Sequence, residues 1–214
     1  VRISAKILES DKQVRTLILN SLLSEVNKTI QKSLPIINLS IQKIVAKALR
    51  DEPEYLSLKT GTLRYELGIA NPNSIDELVQ ALVETGQIDN KNTKITNYGI
   101  SGGFVYKMIG KQDLQAITLS SNARVIDLQR QYSLPWLEWL LFEGSSPIVK
   151  NYEVVLEPST YSRTGGALMK RSNTNWRVPP QYAGTITNNW ITRALSTCEK
   201  QVVAIIQSTI KSNI

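Results

Sequence analysis

The sequence predicts an α+β protein with a long N-terminal helix or helix pair and a small, mostly antiparallel sheet. An extended basic loop and a long C-terminal amphipathic helix complete it. Three observations carry that prediction. Apolar residues recur at three- and four-residue intervals over the first 50 positions, and again from Thr187 to near the C-terminus. Between them, positions 93 to 120 switch to β-branched and aromatic runs punctuated by Gly102, Gly103 and Gly110. A chain of 214 residues can bury roughly 70% of its unfolded surface without disulfides, and no internal repeat divides it, so residues 1–214 are expected to form one domain.

In the first segment Val14, Leu17, Ile18, Leu22, Val26 and Ile30 share one helical stripe, leaving Lys12, Arg15, Lys28 and Lys32 for other faces. Pro35 removes a backbone donor and is expected to end or kink this helix. Ile37, Ile41, Ile44, Val45 and Ala48 then continue a second amphipathic stretch to about Arg50, where "DEP" stops it. Residues 54–69 read as a strand entry or irregular link around a tight turn at Gly61. "NPNSIDELVQALVETG" reads as a short helix, with Ser74 and Glu77 as a capping box, Asp76 favoured by the N-terminal dipole and Gly86 at the C-terminal end.

"TKITNYGISGGFVYKMIG" and "LQAITLS" predict two or three strands. "SNARVIDLQRQYSLPWLEWLLFEGSS" reads as helical up to Gly144 with an interruption at Pro135, and "NYEVVLEPS" as a strand. The region 54–158 is thus a mixed core. Residues 159–181 read as a loop or extended hairpin, expected to protrude, carrying Arg163, Lys170, Arg171 and Arg177 without an acid. The last helix, 187–212, presents Ile191, Leu195, Cys198, Val202, Ile205 and Ile206. The glycines Gly61, Gly144, Gly165, Gly166 and Gly184 read as backbone devices at turns.

Composition narrows the function. The chain contains no histidine and one cysteine, Cys198. Ser-His-Asp and Cys-His catalysis, histidine-supported zinc sites and thiolate clusters are therefore excluded. Gly110-Lys111 is followed by Gln112, so the phosphate-loop pattern fails. The acid pairs Glu138/Glu143 and Glu153/Glu157 are of a kind that is common without chemistry. No enzyme, cofactor or metal is expected, and the longest apolar cluster, "WLEWLLF", is too short to span a bilayer. A soluble protein that assembles inside a cell is the expectation.

The net charge of +7 is unevenly distributed. Residues 1–50 carry nine bases and three acids, residues 51–90 eight acids and two bases, and the stretch from Ser159 onward seven bases and one acid. Separated blocks of both signs favour stacking on copies of the chain or on charged partners.

Three stretches in order add a resemblance. They are "LKTGTLRYEL" (58–67), "WLEWLLFEGSS" (136–146) and "WRVPPQYAGTITNNWITRAL" (176–195). Behind a long N-terminal helix they resemble the neck and tail-completion proteins of tailed bacteriophages. The matching positions are Thr60-Gly61-Thr62-Leu63-Arg64, Phe142-Glu143-Gly144-Ser145, and Pro179-Pro180 to Trp190 with Ala194-Leu195. The tryptophan-rich "LPWLEWLL" and the long stretch between Gly144 and Pro179 depart from that pattern.

The resemblance implies a non-catalytic virion subunit of the head–tail junction, forming a six- or twelve-fold ring. Its neighbours would be other connector proteins, the tail terminator or the tail tube, with DNA in the lumen. The loop 159–181 would then be a docking arm. Its interface residues would be Arg163, Lys170, Arg171 and Arg177, facing acidic partner surfaces or DNA phosphates. Trp176, Pro179, Pro180 and Tyr182 would supply its anchors and stiffening, with Trp190 either closing the far end or packing in the core beside the terminal helix. A second reading makes the chain a sequence-independent nucleic-acid-binding protein that uses its basic helices and loop.

Overall fold

The computed structural model describes residues 10–127 and 131–213, with Asp127, Lys111 and Gln112 described by their backbone alone. Within them it is α+β, with long helices near both ends and small antiparallel sheets between. Positions 1–9 of the expected N-terminal helical segment and 128–130 of the next predicted helix lie outside the described residues.

Helix α1 (Asp11–Asp51) is continuous. Ser10 caps it with a reciprocal box: its side chain accepts from Gln13 N–H, and the Gln13 side chain accepts from Ser10 N–H. Of the two outcomes expected at Pro35, an end or a kink, the end is corrected, because the helix runs through it. Pro35 lies on the exposed side, while Ile37, Ile41, Val45 and Leu49 beyond it are buried at 0–2% exposure. Packing of that stripe offsets the lost backbone bond, since tertiary burial outweighs local propensity.

The stripe packs against α7 (Trp190–Ser212), whose Trp190, Ile191, Ala194, Cys198 and Val202 are buried. The pair is antiparallel. Trp190 Nε1 donates to Leu49 O at 2.8 Å near the C-terminal end of α1, and Asn213 Nδ2 donates to Ser33 Oγ at 3.0 Å a helix-length away. Asn189 caps α7 through Thr192 N–H, so the helix starts three residues later than Thr187.

The irregular link expected at 54–69 is instead two short helices, α2 (Pro53–Lys59) and α3 (Thr62–Glu66). Pro53 sits in the first turn, where its missing N–H costs nothing. Ser57 Oγ accepts from Leu63 N–H at 3.1 Å across the turn. Leu58, Leu63 and Leu67 are buried, and Lys59 and Tyr55 both bind Asp76 of α4 (Asn73–Glu84) at 2.6 Å. The Ser74/Glu77 capping box is corrected. Asn71 Oδ1 accepts from Asn73 N–H, Ser74 Oγ donates back to Asn71 O, and the helix therefore starts at Asn73.

Strands β1 (Gln87–Thr96) and β2 (Gly99–Lys107) form a hairpin that lies along α1, bonded at Asn38, Asn27 and Arg15. "LQAITLS" is helical, not a strand: it belongs to α5 (Lys111–Thr118), whose Ile117 faces the core. The helix expected before Pro135 is replaced by a short 3₁₀ turn and the β3 (Val125–Asp127)–β4 (Tyr132–Leu134) ladder. Among the described residues of that stretch, α6 (Trp136–Phe142) is the one α-helix.

Strand β5 (Val149–Val155) pairs with β6 (Leu168–Trp176). Of the loop or extended hairpin expected over 159–181, the hairpin alternative fits Leu168–Trp176, which is a paired strand, although its partner β5 lies before the stretch and not within it. Among the described residues the strands form three separate two-stranded sheets, none joined to another. No helix of the described residues is long and apolar enough to cross a membrane.

Candidate interaction surface

The residues singled out between 159 and 182 divide into three groups. Arg163, Lys170, Arg171, Arg177 and Pro180 are exposed, Pro179 and Tyr182 are half-buried, and Trp176 is 6% exposed within the core. Trp190 is fully buried. Trp176 and Trp190 are therefore core residues: the exposed docking anchor expected at Trp176 is corrected, and Trp190 takes the core position beside the terminal helix. Strand pairing is the reason: once β6 hydrogen-bonds β5, the inward position at its end falls against α6. Pro179 begins a tight turn, accepting from Tyr182 N–H and Ala183 N–H, which leads the chain back toward α7.

The basic residues are not one continuous track. Lys170 pairs with Glu157 at 2.6 Å. Arg163 donates to the Tyr132 hydroxyl at 2.7 Å and lies 5.7 Å over the Tyr132 ring. Arg171 sits opposite Tyr152 in the ladder, and Arg177 follows the strand end.

What the structure brings together is a cavity of about 320 Å³ among α3, β4, α6 and the β5–β6 hairpin. Its walls include Tyr65, Glu66, Tyr132, Trp139, Arg163 and Trp176. The Trp139 and Trp176 rings meet edge-to-face at 5.8 Å and 65°. Gly166 lies so close to Tyr65 that a Cβ there would come within 2.6 Å of the ring. The Trp176 indole N–H is buried, with no hydrogen-bond partner among the described residues. The Glu66 carboxyl approaches it, and the N–H favours the charged carboxylate. Burial acts more strongly in the other direction and raises the Glu66 pKa above the ordinary value.

A second junction binds α6 to the segment before α7. Gly144 N–H donates to Gly184 O and Gly184 N–H to Leu140 O, both at 2.9 Å. Gly144 has φ +58°, and a Cβ on Gly184 would sit 2.8 Å from Leu140 O, so both positions need glycine.

At the start of α7, Arg193 forms ion pairs with Glu54 and Glu52. Glu54 is fully buried. Its pKa is raised because desolvation outweighs the neighbouring backbone N–H and the Arg193 guanidinium.

These contacts join stretches far apart in sequence. Tyr65 and Glu66 belong to "LKTGTLRYEL", Trp139 to "WLEWLLFEGSS", and Trp176 opens "WRVPPQYAGTITNNWITRAL". Trp139 and Glu66 stood inside quoted motifs but carried no distinguishing signal of their own, and Tyr132 lies outside all three. Among the described residues no group of three or more His, Cys, Asp or Glu could hold a metal ion. No protein-family model, curated protein or solved structure matches the chain.

Proposed function

We propose that this chain is a structural subunit of the head–tail junction of a tailed bacteriophage. It would be a neck or tail-completion protein that forms a ring with its own copies, joins head to tail and performs no catalysis. The observation that supports this reading most is the convergence of the three motif stretches on one cluster of Tyr65, Glu66, Trp139 and Trp176. Short motifs scattered over separate surfaces would be weak grounds for a family resemblance. Motifs that pack on one another behave as one unit, held by the same core that fixes α1 against α7.

Two further features suit an assembly role. The β1–β2 and β5–β6 hairpins are two-stranded, so each retains outer edges able to add a strand from a neighbour. The separated charge blocks favour head-to-tail contacts between unlike surfaces, the kind that close into rings.

The test is electron microscopy of a lysate from a phage in which this gene is disrupted. DNA-filled heads beside separate full-length tails are the expected result. Normal joined particles would overturn the proposal.

A further inference from the structure

The N-terminal half of α1 carries more apolar surface than the rest of the described residues cover. Val14, Leu17, Ile18, Leu22 and Val26 are 36, 64, 54, 49 and 37% exposed. Leu19 and Leu23 on the same half are partly buried. A helix apolar on more than one side is normally covered on each of them. The β1–β2 hairpin covers one, fixed by Arg15 to Asn97 O at 2.7 Å and by the Thr93–Asn27 hydrogen bond. Leu22 and Val26 border a hollow of about 700 Å³ that Phe104, Ile206 and Ile210 also line. The stripe thus runs from that hollow out along the free part of the helix.

We propose that this stripe pairs, antiparallel and about a two-fold axis beside Asn20, with the same stripe of a second copy of the chain. Charge order along the helix selects that occupant and that direction. With Asn20 on the axis, residues whose numbers are equally far on either side face one another. Val14 then meets the partner's Val26, and Ile18 meets the partner's Leu22. Arg15 comes opposite the partner's Glu25, and Asp11 lies between the partner's Lys28 and the partner's Lys32. Each of these contacts occurs twice.

A parallel pair in register would instead set Arg15, Glu25, Lys28 and Lys32 against their own copies. Like charges facing one another disfavour such a pairing. The antiparallel pair brings one like-charged approach, Lys12 beside the partner's Lys28. Glu25, 2.8 Å from Lys28 in the same helix, and the facing Asp11 offset part of that approach. A two-fold contact closes on itself at two copies, so a ring would need a separate surface. The pairing does not rest on the head–tail reading, and either can fail alone.

Ten half-exposed apolar side chains support a concentration-dependent dimer with a dissociation constant on the order of micromolar. The test uses the full chain, whose native thiol Cys198 is buried. Val14→Cys and Val26→Cys proteins, mixed and oxidised, are expected to give a disulfide-linked dimer between the two variants. Neither alone should cross-link, because identical positions stand about 18 Å apart along the pair. Ile18→Glu should weaken the dimer at least tenfold in sedimentation equilibrium, with an unchanged melting curve at concentrations where both proteins are monomeric.

Cross-linking of Val14→Cys with itself would overturn the proposal. So would a parent chain monomeric at every concentration, an oligomer indifferent to Ile18→Glu, or a monomer that co-sediments with anionic lipid vesicles through this stripe.

Discussion

The rings of Trp139 and Trp176 meet edge-to-face at 5.8 Å and 65°, locking the end of β6 against α6. Trp176 contributes a large buried surface at the point where the β5–β6 hairpin joins the core. Trp176→Ala should therefore lower stability by about 3–5 kcal/mol, the range for large aromatic truncations in a core. Thermal and urea unfolding of the purified chain measure this. A variant as stable as the parent but defective in assembly would return Trp176 to the docking role expected from the sequence.

Glu66, beside that indole, gives the protein a distinct pH response. Its native pKa is raised above the ordinary 4.5 by burial, against the favourable pull of the Trp176 N–H. Below about pH 4 both native and unfolded chains hold this proton. As pH rises through the interval between the two pKa values, the unfolded chain releases its proton first. The site's contribution to stability then falls until the native carboxyl has ionised too. Glu66→Gln should remove this component, leaving the variant more stable than the parent at pH 7 and flatter in its stability–pH profile. Equal slopes in variant and parent would contradict the assignment.

Arg193 is the counter-ion of a carboxylate with no access to water. Glu54 is fully buried, and one of its oxygens has no hydrogen-bond partner among the described residues. Arg193→Met would strand that charge or force it to take up a proton. Breaking such a pair costs roughly 3–5 kcal/mol. The loss here should fall near the lower end, because the Arg193 side chain is 36% exposed and solvent already screens part of the pairing. Denaturant titration of Arg193→Met, and of Arg193→Met combined with Glu54→Gln, checks it: the double variant should recover part of the loss.

The elements legible in the sequence were those whose apolar periodicity agreed with their tertiary surroundings. Helix α7 has a continuous apolar stripe, and α4 has Ile75, Leu78, Val79 and Leu82 at helical spacing. The elements that were not legible lack an independent local signal. Helices α2, α3 and α5 run five to eight residues, too short to be stable alone, and persist because Leu58, Leu63 and Ile117 are buried. Strand β6 contains "KRSNTN", whose low β-propensity concealed its pairing with β5. The candidate cavity was legible only in pieces. Trp176 and Arg163 stood out by residue type, whereas the approach of Tyr65, Glu66 and Trp139 depends on how α3, α6 and β6 pack.

The antiparallel pairing of α1 with α7 has a kinetic consequence. Leu49 and Trp190 are separated by 141 positions, so the central core closes through contacts between distant parts of the chain. Such long-range closure is entropically slow. During synthesis Ile37, Ile41, Val45 and Leu49 leave the ribosome long before their partner helix exists. At about 5–20 residues per second this apolar stripe waits on the order of ten seconds or more. In that interval it is open to chaperones, and to the same stripe on other nascent chains.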